Sequence, residues 1–187
     1  MTPRLLLLLG LAAGVAASGY WAYRTPSPEP RIAEGGTRAV EASLRTVTIT
    51  DHDLDGRPAR RLEAAHLLQY ADSDEAILWQ PRLTLIDRGP AWRLDAPYGR
   101  WQRDSSAEVI LLQEAVRLRR EAGPDGRALA VDTRDLAVLP GSEEAWSAHR
   151  SVIRDGAGRL VGTGLHLDWP AERVRLLADV HGGYRVR

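Results

Sequence analysis

Five histidines are the side chains of this sequence best suited to proton transfer or metal binding, and they are scattered as His52, His66, His149, His166 and His181. None has the HExxH spacing that sets two imidazoles on one helix face around zinc. A lone histidine on a strand is more often a surface or hydrogen-bonded residue than a ligand. The chain has no cysteine, so thiolate chemistry and disulfides are excluded. The pattern predicts no metal site.

The segment DHDLDG, at residues 51–56, matches the first half of a calcium-binding EF-hand loop. The twelfth position of such a loop supplies a bidentate carboxylate, and here that position is Leu62. Runs typical of strands, rather than helices, flank the segment. Because Asp-Gly between two such runs is a strong hairpin signal, we interpret the segment as a β-hairpin turn. Asp125-Gly126 and Asp155-Gly156 carry the same signal.

Other catalytic arrangements fail on geometry. Glu143 and Glu144 could supply an acid and a base, but adjacent residues of a strand point to opposite faces. The glycine cluster GAGRLVGTG, at residues 156–164, has no phosphate-loop or dinucleotide spacing and looks like a hairpin. No GxSxG elbow is present. We expect no catalytic residue, no enzyme activity and no cofactor.

Composition bounds the remaining possibilities. Basic and acidic residues balance at 25 each, which argues against a nucleic-acid partner. Every basic residue is arginine, which we interpret as coding bias, although arginine is also the better partner for phosphate. A length of 187 residues suits one folded domain with appendages.

The N-terminal residues 1–23 predict a short basic start and a transmembrane helix. The 19 residues from Leu5 to Tyr23 carry no charge, and as a helix they measure about 28 Å against a hydrocarbon layer of roughly 30 Å. Small residues at positions 16–19 also fit a cleavable secretory signal. The aromatic cluster around Trp21, followed by Arg24, resembles an interfacial belt and favours an uncleaved anchor.

A tether and a folded domain follow. Pro26, Pro28 and Pro30 block a helix and favour an extended, semi-rigid linker over residues 24–40. Residues 41–187 form short alternating runs separated by turn signals, which predicts an all-β domain. In one such stretch, ILWQPRLTLI at residues 77–86, alternation puts Ile77, Trp79, Leu83 and Leu85 on one side of an extended chain.

The domain also repeats itself. Similar runs begin at Leu62, Leu94, Val131 and Val161, at spacings of 32, 37 and 30 residues, and each is followed by a second run. These second runs begin at Glu75, Glu108, Glu143 and Glu172. A period near 33 residues predicts stacked strand pairs, in which each unit covers its neighbours' apolar faces. We expect two facing antiparallel sheets, arranged as a jelly roll or as a flattened barrel open along one side.

The two ends of the predicted stack are candidate docking edges. The chain closes with GGYRVR, at residues 182–187, which predicts a strand that runs to the last residue. An unprotected edge strand invites pairing with the strand of another protein. We therefore predict docking edges at Val47 and Ile49 in the first strand and at Tyr184 and Val186 in the last.

The order of these segments resembles the LptC family, a bitopic inner-membrane component of the bacterial lipopolysaccharide transport bridge. The residues that carry the resemblance are the uncharged span and tether, RLEAAHLLQYADSDEAILWQPRLTLID at 61–87, WRLDAPYGRW at 92–101 and the closing GLHLDW to GGYRVR. The resemblance covers nearly the whole chain. Residues 88–91 (RGPA) form a shorter turn than the family pattern has, and Trp146 to Arg150 match that pattern poorly.

The resemblance implies a twisted β jelly roll whose sheets splay open to hold lipid A acyl chains. It implies single-pass anchoring in the inner membrane with the bulk of the chain in the periplasm. The implied partners are lipopolysaccharide, the transporter subunits LptF and LptG with the LptB ATPase, and periplasmic LptA.

The residues expected to line the lipid groove share an apolar side chain in an alternating run. They are Leu83, Leu85, Trp92, Leu94, Val109, Leu111, Val116, Leu118, Leu129, Val131, Leu136, Val138, Leu165, Leu167, Val174 and Leu176. Alternation identifies an inward face without saying what fills it, so an ordinary sandwich core is the competing interpretation. The alternative function is a strand-pairing assembly scaffold of the cell envelope that carries no lipid.

Overall fold

The computed structural model describes residues 39–71, 73–86, 89–103, 107–123 and 128–184, and within these ranges all regular structure is β. The strands are β1 Val40–His52, β2 Pro58–Tyr70, β3 Glu75–Trp79, β4 Arg82–Leu85, β5 Trp92–Asp95, β6 Tyr98–Arg103, β7 Glu108–Arg120, β8 Leu129–Leu139, β9 Glu144–Arg154, β10 Gly158–Asp168 and β11 Arg173–Tyr184. Every pairing between them is antiparallel. The all-β prediction is confirmed.

The strands form an antiparallel meander of nine long strands. β3 and β4 together pair along β2, and β6 and β5 together pair along β7, so each pair acts as one interrupted strand. Each long strand then pairs only with the one before it and the one after it. The predicted repeat coincides with this architecture, because its four units begin in β2, β5, β8 and β10 and each unit spans one hairpin of long strands.

Most long strands change direction near their middle. Non-glycine residues with positive φ lie within β1, β7, β8 and β11, and a glycine does so within β10. They are Thr46 (54°), Glu114 (67°), Asp135 (43°), Asp179 (52°) and Gly164 (77°). Register shifts accompany the bends in the β7–β8, β9–β10 and β10–β11 ladders. Such bulges bend a strand and change which residues face inward.

The two interrupted strands bend at X-Pro steps. Gln80, at φ 50°, precedes Pro81 between β3 and β4, and Ala96 precedes Pro97 between β5 and β6. The two breaks are joined, since the Gln80 N–H donates to the Pro97 carbonyl at 2.8 Å and the Ala96 N–H donates to the Pro81 carbonyl at 3.2 Å. Proline removes a ladder donor, which is why both steps lie between strands.

The bends divide the sheet into two halves that share one core. We call them the Leu78 half, which contains β3 and β6, and the Leu83 half, which contains β4 and β5. Leu67 and Leu78 from the first half and Leu83 and Leu94 from the second belong to a single hydrophobic cluster. The sheet is therefore folded over on itself. The sequence predicted two facing sheets, as a jelly roll or a flattened barrel open along one side. Within the described residues, hydrogen bonding joins the strands into one sheet, whose two halves share the core.

One expectation about sidedness is wrong. Leu78 is fully buried, whereas its neighbours Ile77 and Trp79 are only half-buried. Leu83 and Leu85 are buried. The left-handed step at Gln80 shifts the inward positions from even to odd numbers, so Ile77 and Trp79 do not share a face with Leu83.

Two predicted hairpins are confirmed. In residues 51–56, Asp53 Oδ1 accepts the N–H groups of Asp55 at 2.9 Å and Arg57 at 2.8 Å, and Gly56 takes φ 77°. Asp155 Oδ1 accepts the N–H groups of Ala157 and Gly158 in the same way. Asp125-Gly126 lies outside the described residues.

The predicted helix at 1–23 and tether residues 24–38 also lie outside the described residues, and the first strand begins at Val40. In the part of the chain that is described, no helix is long and apolar enough to cross a membrane.

Replacing Gln80 tests the bend directly. Gln80→Val should lower the free energy of unfolding by about 1 to 2 kcal/mol, because a β-branched residue tolerates positive φ poorly. Gln80→Gly should leave it unchanged or raise it by up to about 1 kcal/mol. Urea unfolding of both variants measures this. Equal stability of the two would show that the left-handed step does not control the bend.

Candidate functional site: an apolar interior closed along a seam

Most of the residues predicted to line a groove lie in the shared core. Those that are buried are Leu83, Leu85, Trp92, Leu94, Val116, Leu118, Val131, Leu136, Val138, Leu165 and Leu167. Leu129, Val174 and Leu176 are partly buried and pack against the same cluster. The structure thus brings these side chains together in one continuous apolar interior.

Val109 and Leu111 lie elsewhere. The buried residues of this part of β7 are Ile110 and Leu112, both fully inaccessible to solvent, so their half-buried neighbours Val109 and Leu111 face the other side. The prediction chose the wrong face here. EVILLQ contains four consecutive apolar residues, and such a run has no alternation from which a face can be read.

The sequence prediction also missed inward residues on β2 and β3 and in the turn before β11. They are Leu62, Leu67, Leu78 and Trp169. In β2, the buried positions move from even (Leu62, Ala64) to odd (Leu67), as they do across Gln80. The X-Pro steps at Gln80-Pro81 and Ala96-Pro97 were the available signals of such a shift.

Folding the sheet over brings two rows of connections together along one side, and we call this line the seam. The connections after β1, β4, β7 and β9 belong to the Leu83 half, and those after β2, β6, β8 and β10 belong to the Leu78 half. Every ladder in the described ranges joins neighbouring long strands, so none crosses the seam. Side chains close it instead.

A charged cluster closes one part of the seam. Arg60 of β2 points inward and donates to Asp51 Oδ2 of β1 through Nε at 2.8 Å. Across the seam it donates from Nη2 to Glu108 Oε1 of β7 at 2.8 Å. The same Glu108 oxygen accepts Trp101 Nε1 at 2.7 Å and Arg103 Nη2 at 3.1 Å. A pocket of about 350 Å³ adjoins this cluster and is lined from both halves.

A second ion pair closes the seam further along. The Arg120 side chain, only 11% exposed, donates from Nη1 to Glu172 Oε2 at 2.5 Å. Its guanidinium also lies 5.4 Å from the ring centroid of Trp92. Arg60 and Arg120 belong to one inward row, in which Arg60 pairs with Leu85, Leu85 with Trp92 and Trp92 with Arg120.

Some hydrogen-bond donors of this inward row have no acceptor among the described residues. Arg60 Nη1, Trp92 Nε1 and Arg120 Nε are the buried side-chain atoms of the described part that have no hydrogen-bond partner. An unsatisfied buried donor costs about 1 to 3 kcal/mol. All three lie in the row beside the seam, which therefore carries the unsatisfied buried side-chain donors of the described residues.

Glu108 titrates abnormally because of this position. Burial alone raises the pKa of its carboxyl, but the hydrogen bond and charge of Arg60, aided by Arg103 and Trp101, outweigh burial. The pKa of Glu108 is accordingly held below its usual value.

Three hydroxyl groups interrupt the apolar interior near the middle of β8 and β9. Thr133 Oγ1 lies 3.0 Å from Ser147 Oγ and 2.8 Å from Ser151 Oγ. Ser147 donates to the Arg134 carbonyl, and Ser151 donates to the His149 carbonyl. These bonds satisfy backbone groups where the β8–β9 ladder is irregular. The cluster stabilises the bend.

Four of the five histidines have separate local partners. His66 contacts Ser43, His149 lies 3.2 Å from Asp135, His166 lies 3.1 Å from Glu144, and His181 contacts the Asp179 carbonyl. The described residues contain no group of three or more metal-ligating side chains.

The two edges of the sheet are β1 and β11, each paired on one side only. Val47 and Ile49 pack partly against the core, and Tyr184 pairs with Gly158 at the end of the β10–β11 ladder. Val186 lies outside the described residues. Four of the large apolar side chains that remain exposed are on these edges, namely Val40, Leu44, Leu177 and Val180.

The sequence matches a protein family described as "Lipopolysaccharide-assembly, LptC-related" over residues 7–185. The chain belongs to this family. The match confirms the resemblance carried by the span, the tether and the strand motifs. A search among curated proteins found no match.

The fold is similar to that of LptH, the LptA homologous periplasmic component of the lipopolysaccharide transport device from Pseudomonas aeruginosa. The TM-score is 0.55 at 9% sequence identity, with 68% of this chain and 95% of LptH covered. At that identity, the similarity establishes the fold alone.

The seam cluster predicts a pH-dependent stability. Because the folded-state pKa of Glu108 is depressed, its contribution is present above the unfolded pKa of about 4.3 and is lost as pH falls through the folded-state value. At pH 7, Glu108→Gln should lower the free energy of unfolding by about 1 to 3 kcal/mol. Below about pH 4, the difference from wild type should shrink.

Urea unfolding across this pH range measures the effect. Glu121→Gln is the control, because Glu121 pairs with Arg93 at 2.7 Å but both side chains are exposed. It should cost no more than about 0.5 kcal/mol at any pH. A pH-independent deficit in Glu108→Gln would refute the role of the Glu108 charge.

Proposed function

We propose that this LptC-family protein is a non-enzymatic carrier in the lipopolysaccharide transport bridge, which holds lipid A acyl chains between the two halves of its sheet. The observation that carries the proposal is the seam. One continuous apolar interior runs through the domain, and along one side only side chains close it. Membership of a lipopolysaccharide-assembly family supports the same cargo.

Acyl chains need such an interior to leave a membrane. Exposing one chain of about a dozen carbons to water costs on the order of 10 kcal/mol, at about 0.8 kcal/mol per methylene. A continuous apolar path lets each chain move between similar surroundings, so that no single step carries the whole cost. The leucines of the interior supply that path in this proposal.

Access requires the halves to separate at the seam, because the inward side chains fill the interior in this structure. Leu78, Leu83 and Leu94 are fully inaccessible to solvent. Separation breaks the Arg60–Glu108 and Arg120–Glu172 pairs but leaves every strand ladder intact. It also exposes the three unsatisfied donors to water, which offsets part of the cost. The bends act as the hinge.

Photo-crosslinking in energised cells tests the carrier. A photoreactive residue at Leu83, Leu118 or Leu176 should capture glycolipid, since all three side chains belong to the interior or pack against it. The matched control is Leu111, which lies on the opposite face of β7 from Leu112. It should capture none. Capture of protein alone at the three interior positions would contradict the carrier.

We further propose that residues 1–23 anchor the chain in the inner membrane and that the β domain lies in the periplasm. The N-terminal edge would then meet the transporter subunits LptF and LptG, driven by LptB, and the C-terminal edge would meet LptA. The family assignment and the fold shared with a periplasmic transport component support this arrangement.

The second candidate function, a strand-pairing scaffold without lipid, has its own support in the edges. Exposed Leu44 on β1 and exposed Leu177 and Val180 on β11 would be covered by an added strand. Edge docking is compatible with lipid transport, and the two functions differ only in whether the interior opens.

Proline substitution tests docking at the last strand. Tyr184→Pro with Val186→Pro should abolish binding of LptA in a pull-down and leave the melting temperature unchanged, because proline removes ladder donors at the edge. The double alanine variant at the same positions keeps those donors and should bind LptA normally. Normal binding by the proline variant would reject docking through this edge.

A further inference from the structure

The outer face of the Leu83 half carries a row of arginines that have no role in the carrier function proposed above. Strand register places the members directly opposite one another across the sheet. In order from β2 to β10 the row is Arg61, Thr84, Arg93, Arg119, Ala130, Arg154 and Arg159. We call it the arginine row. It contains five arginines and no carboxylate.

The next row on the same face contains both basic and acidic residues. It reads Glu63, Arg82, Asp95, Arg117 and Asp132 from β2 to β8. Charges alternate at every step, so this row neutralises itself, and Arg82 lies 2.8 Å from Asp95. Two residues further along the same strands, the carboxylates are absent. The arginine content of the sequence as a whole therefore does not explain why this row lacks carboxylates.

The arginine row costs stability when it has no counter-ion. Arg93 is directly opposite Arg119, and Arg154 is directly opposite Arg159. Like charges in directly opposed positions destabilise a sheet. Carboxylates outside the row reduce this repulsion for two of its arginines. Arg93 pairs with Glu121 at 2.7 Å, and Arg154 pairs with Asp132.

Three arginines of the row have no acidic partner among the described residues. Arg61, Arg119 and Arg159 are exposed, and none of them forms an ion pair within the described ranges. A groove of about 940 Å³ lies over this face. Arg61, Arg93, Arg119 and Arg154 are among its lining residues, and so are the carboxylates of Glu63, Asp95, Glu121 and Asp155. The guanidinium groups of Arg61 and Arg119, which have no ion pair among the described residues, therefore line a concave surface that is large enough for a sugar-sized ligand.

The arginine row also adjoins the seam. Arg61 follows Arg60 in β2, and Arg119 precedes Arg120 in β7. The outward arginines therefore lie on the opposite face of the same strands from Arg60 and Arg120, whose ion pairs close the interior. A lipid whose chains pass through the seam leaves its headgroup at this margin.

We propose that the arginine row binds the phosphate groups of a phosphorylated glycolipid headgroup. The inference rests on the proposed carrier function and assigns the headgroup a site of its own. Guanidinium groups bind phosphate in bidentate fashion. Strands lie about 4.8 Å apart, so Arg61 and the Arg93–Arg119 pair are separated by about 10 Å or more. That spacing suits two phosphates on one saccharide rather than a single anion.

Calorimetry with the full chain in detergent tests the site. The probe is the deacylated, diphosphorylated disaccharide of lipid A, which has no acyl chains to enter the interior. Its dephosphorylated form and inorganic phosphate serve as comparisons. The double variant Arg61→Gln, Arg119→Gln should bind the phosphorylated disaccharide at least ten-fold more weakly than wild type. Its melting temperature should equal or exceed that of wild type, because two like charges are removed.

Arg117→Gln is the matched control, since Arg117 lies two residues from Arg119 on the same face but between Asp95 and Asp132. It should change the affinity less than two-fold. Equal binding by the double variant and wild type overturns the site, as does an equal loss in Arg117→Gln. Equal binding of the dephosphorylated disaccharide excludes phosphate recognition. Inorganic phosphate that competes as well as the disaccharide excludes a headgroup as the ligand.

The failures of the two proposals can be told apart. Glycolipid capture at Leu118 that is unaffected by Arg61→Gln, Arg119→Gln, together with disaccharide binding that is also unaffected, overturns the arginine row and leaves the carrier standing. Arginine-dependent binding of the disaccharide without any capture at Leu118 overturns the carrier and leaves an anion site on the outer face.

Discussion

The apolar interior must be closed along the side where the strands end, and there the sheet has neither strand ladders nor bends. Folding each long strand near its middle buries the leucines of both halves against one another, but it leaves two rows of connections facing across the seam. There the chain relies on Arg60, Glu108, Arg120 and Glu172. Side-chain pairs can separate without disturbing a ladder, so the stability of the sheet and access to its interior depend on different contacts.

The same constraint explains why charge lies inside an apolar fold. A buried ion pair seldom stabilises more than well-packed apolar residues of the same volume, and here three donors of the row remain unsatisfied. A sheet that only had to fold would be better served by apolar side chains at Arg60 and Arg120. Their presence at the seam, and the like charges of the arginine row on the outer face of the same strands, both place costly charge next to the same margin.

The sequence predicted the class of fold, the antiparallel hairpins and the repeat, because turn chemistry at Asp53 and Asp155 and alternation within short strands are local properties. It failed where sidedness depends on a bend. The residue at positive φ, Gln80, shifts the inward positions without changing composition. The run that contains Val109 and Leu111 has no alternation at all. The seam and the arginine row depend on register between distant segments, which no local pattern contains.

The meander has a consequence for how this domain is made. Each long strand finds its partner in the segment that immediately precedes it, and the first and last strands never pair with each other. Local pairing of this kind allows assembly to start before the whole polypeptide is present. A chain that emerges N-terminus first can add one hairpin after another to a growing template and needs β11 only to complete the sheet.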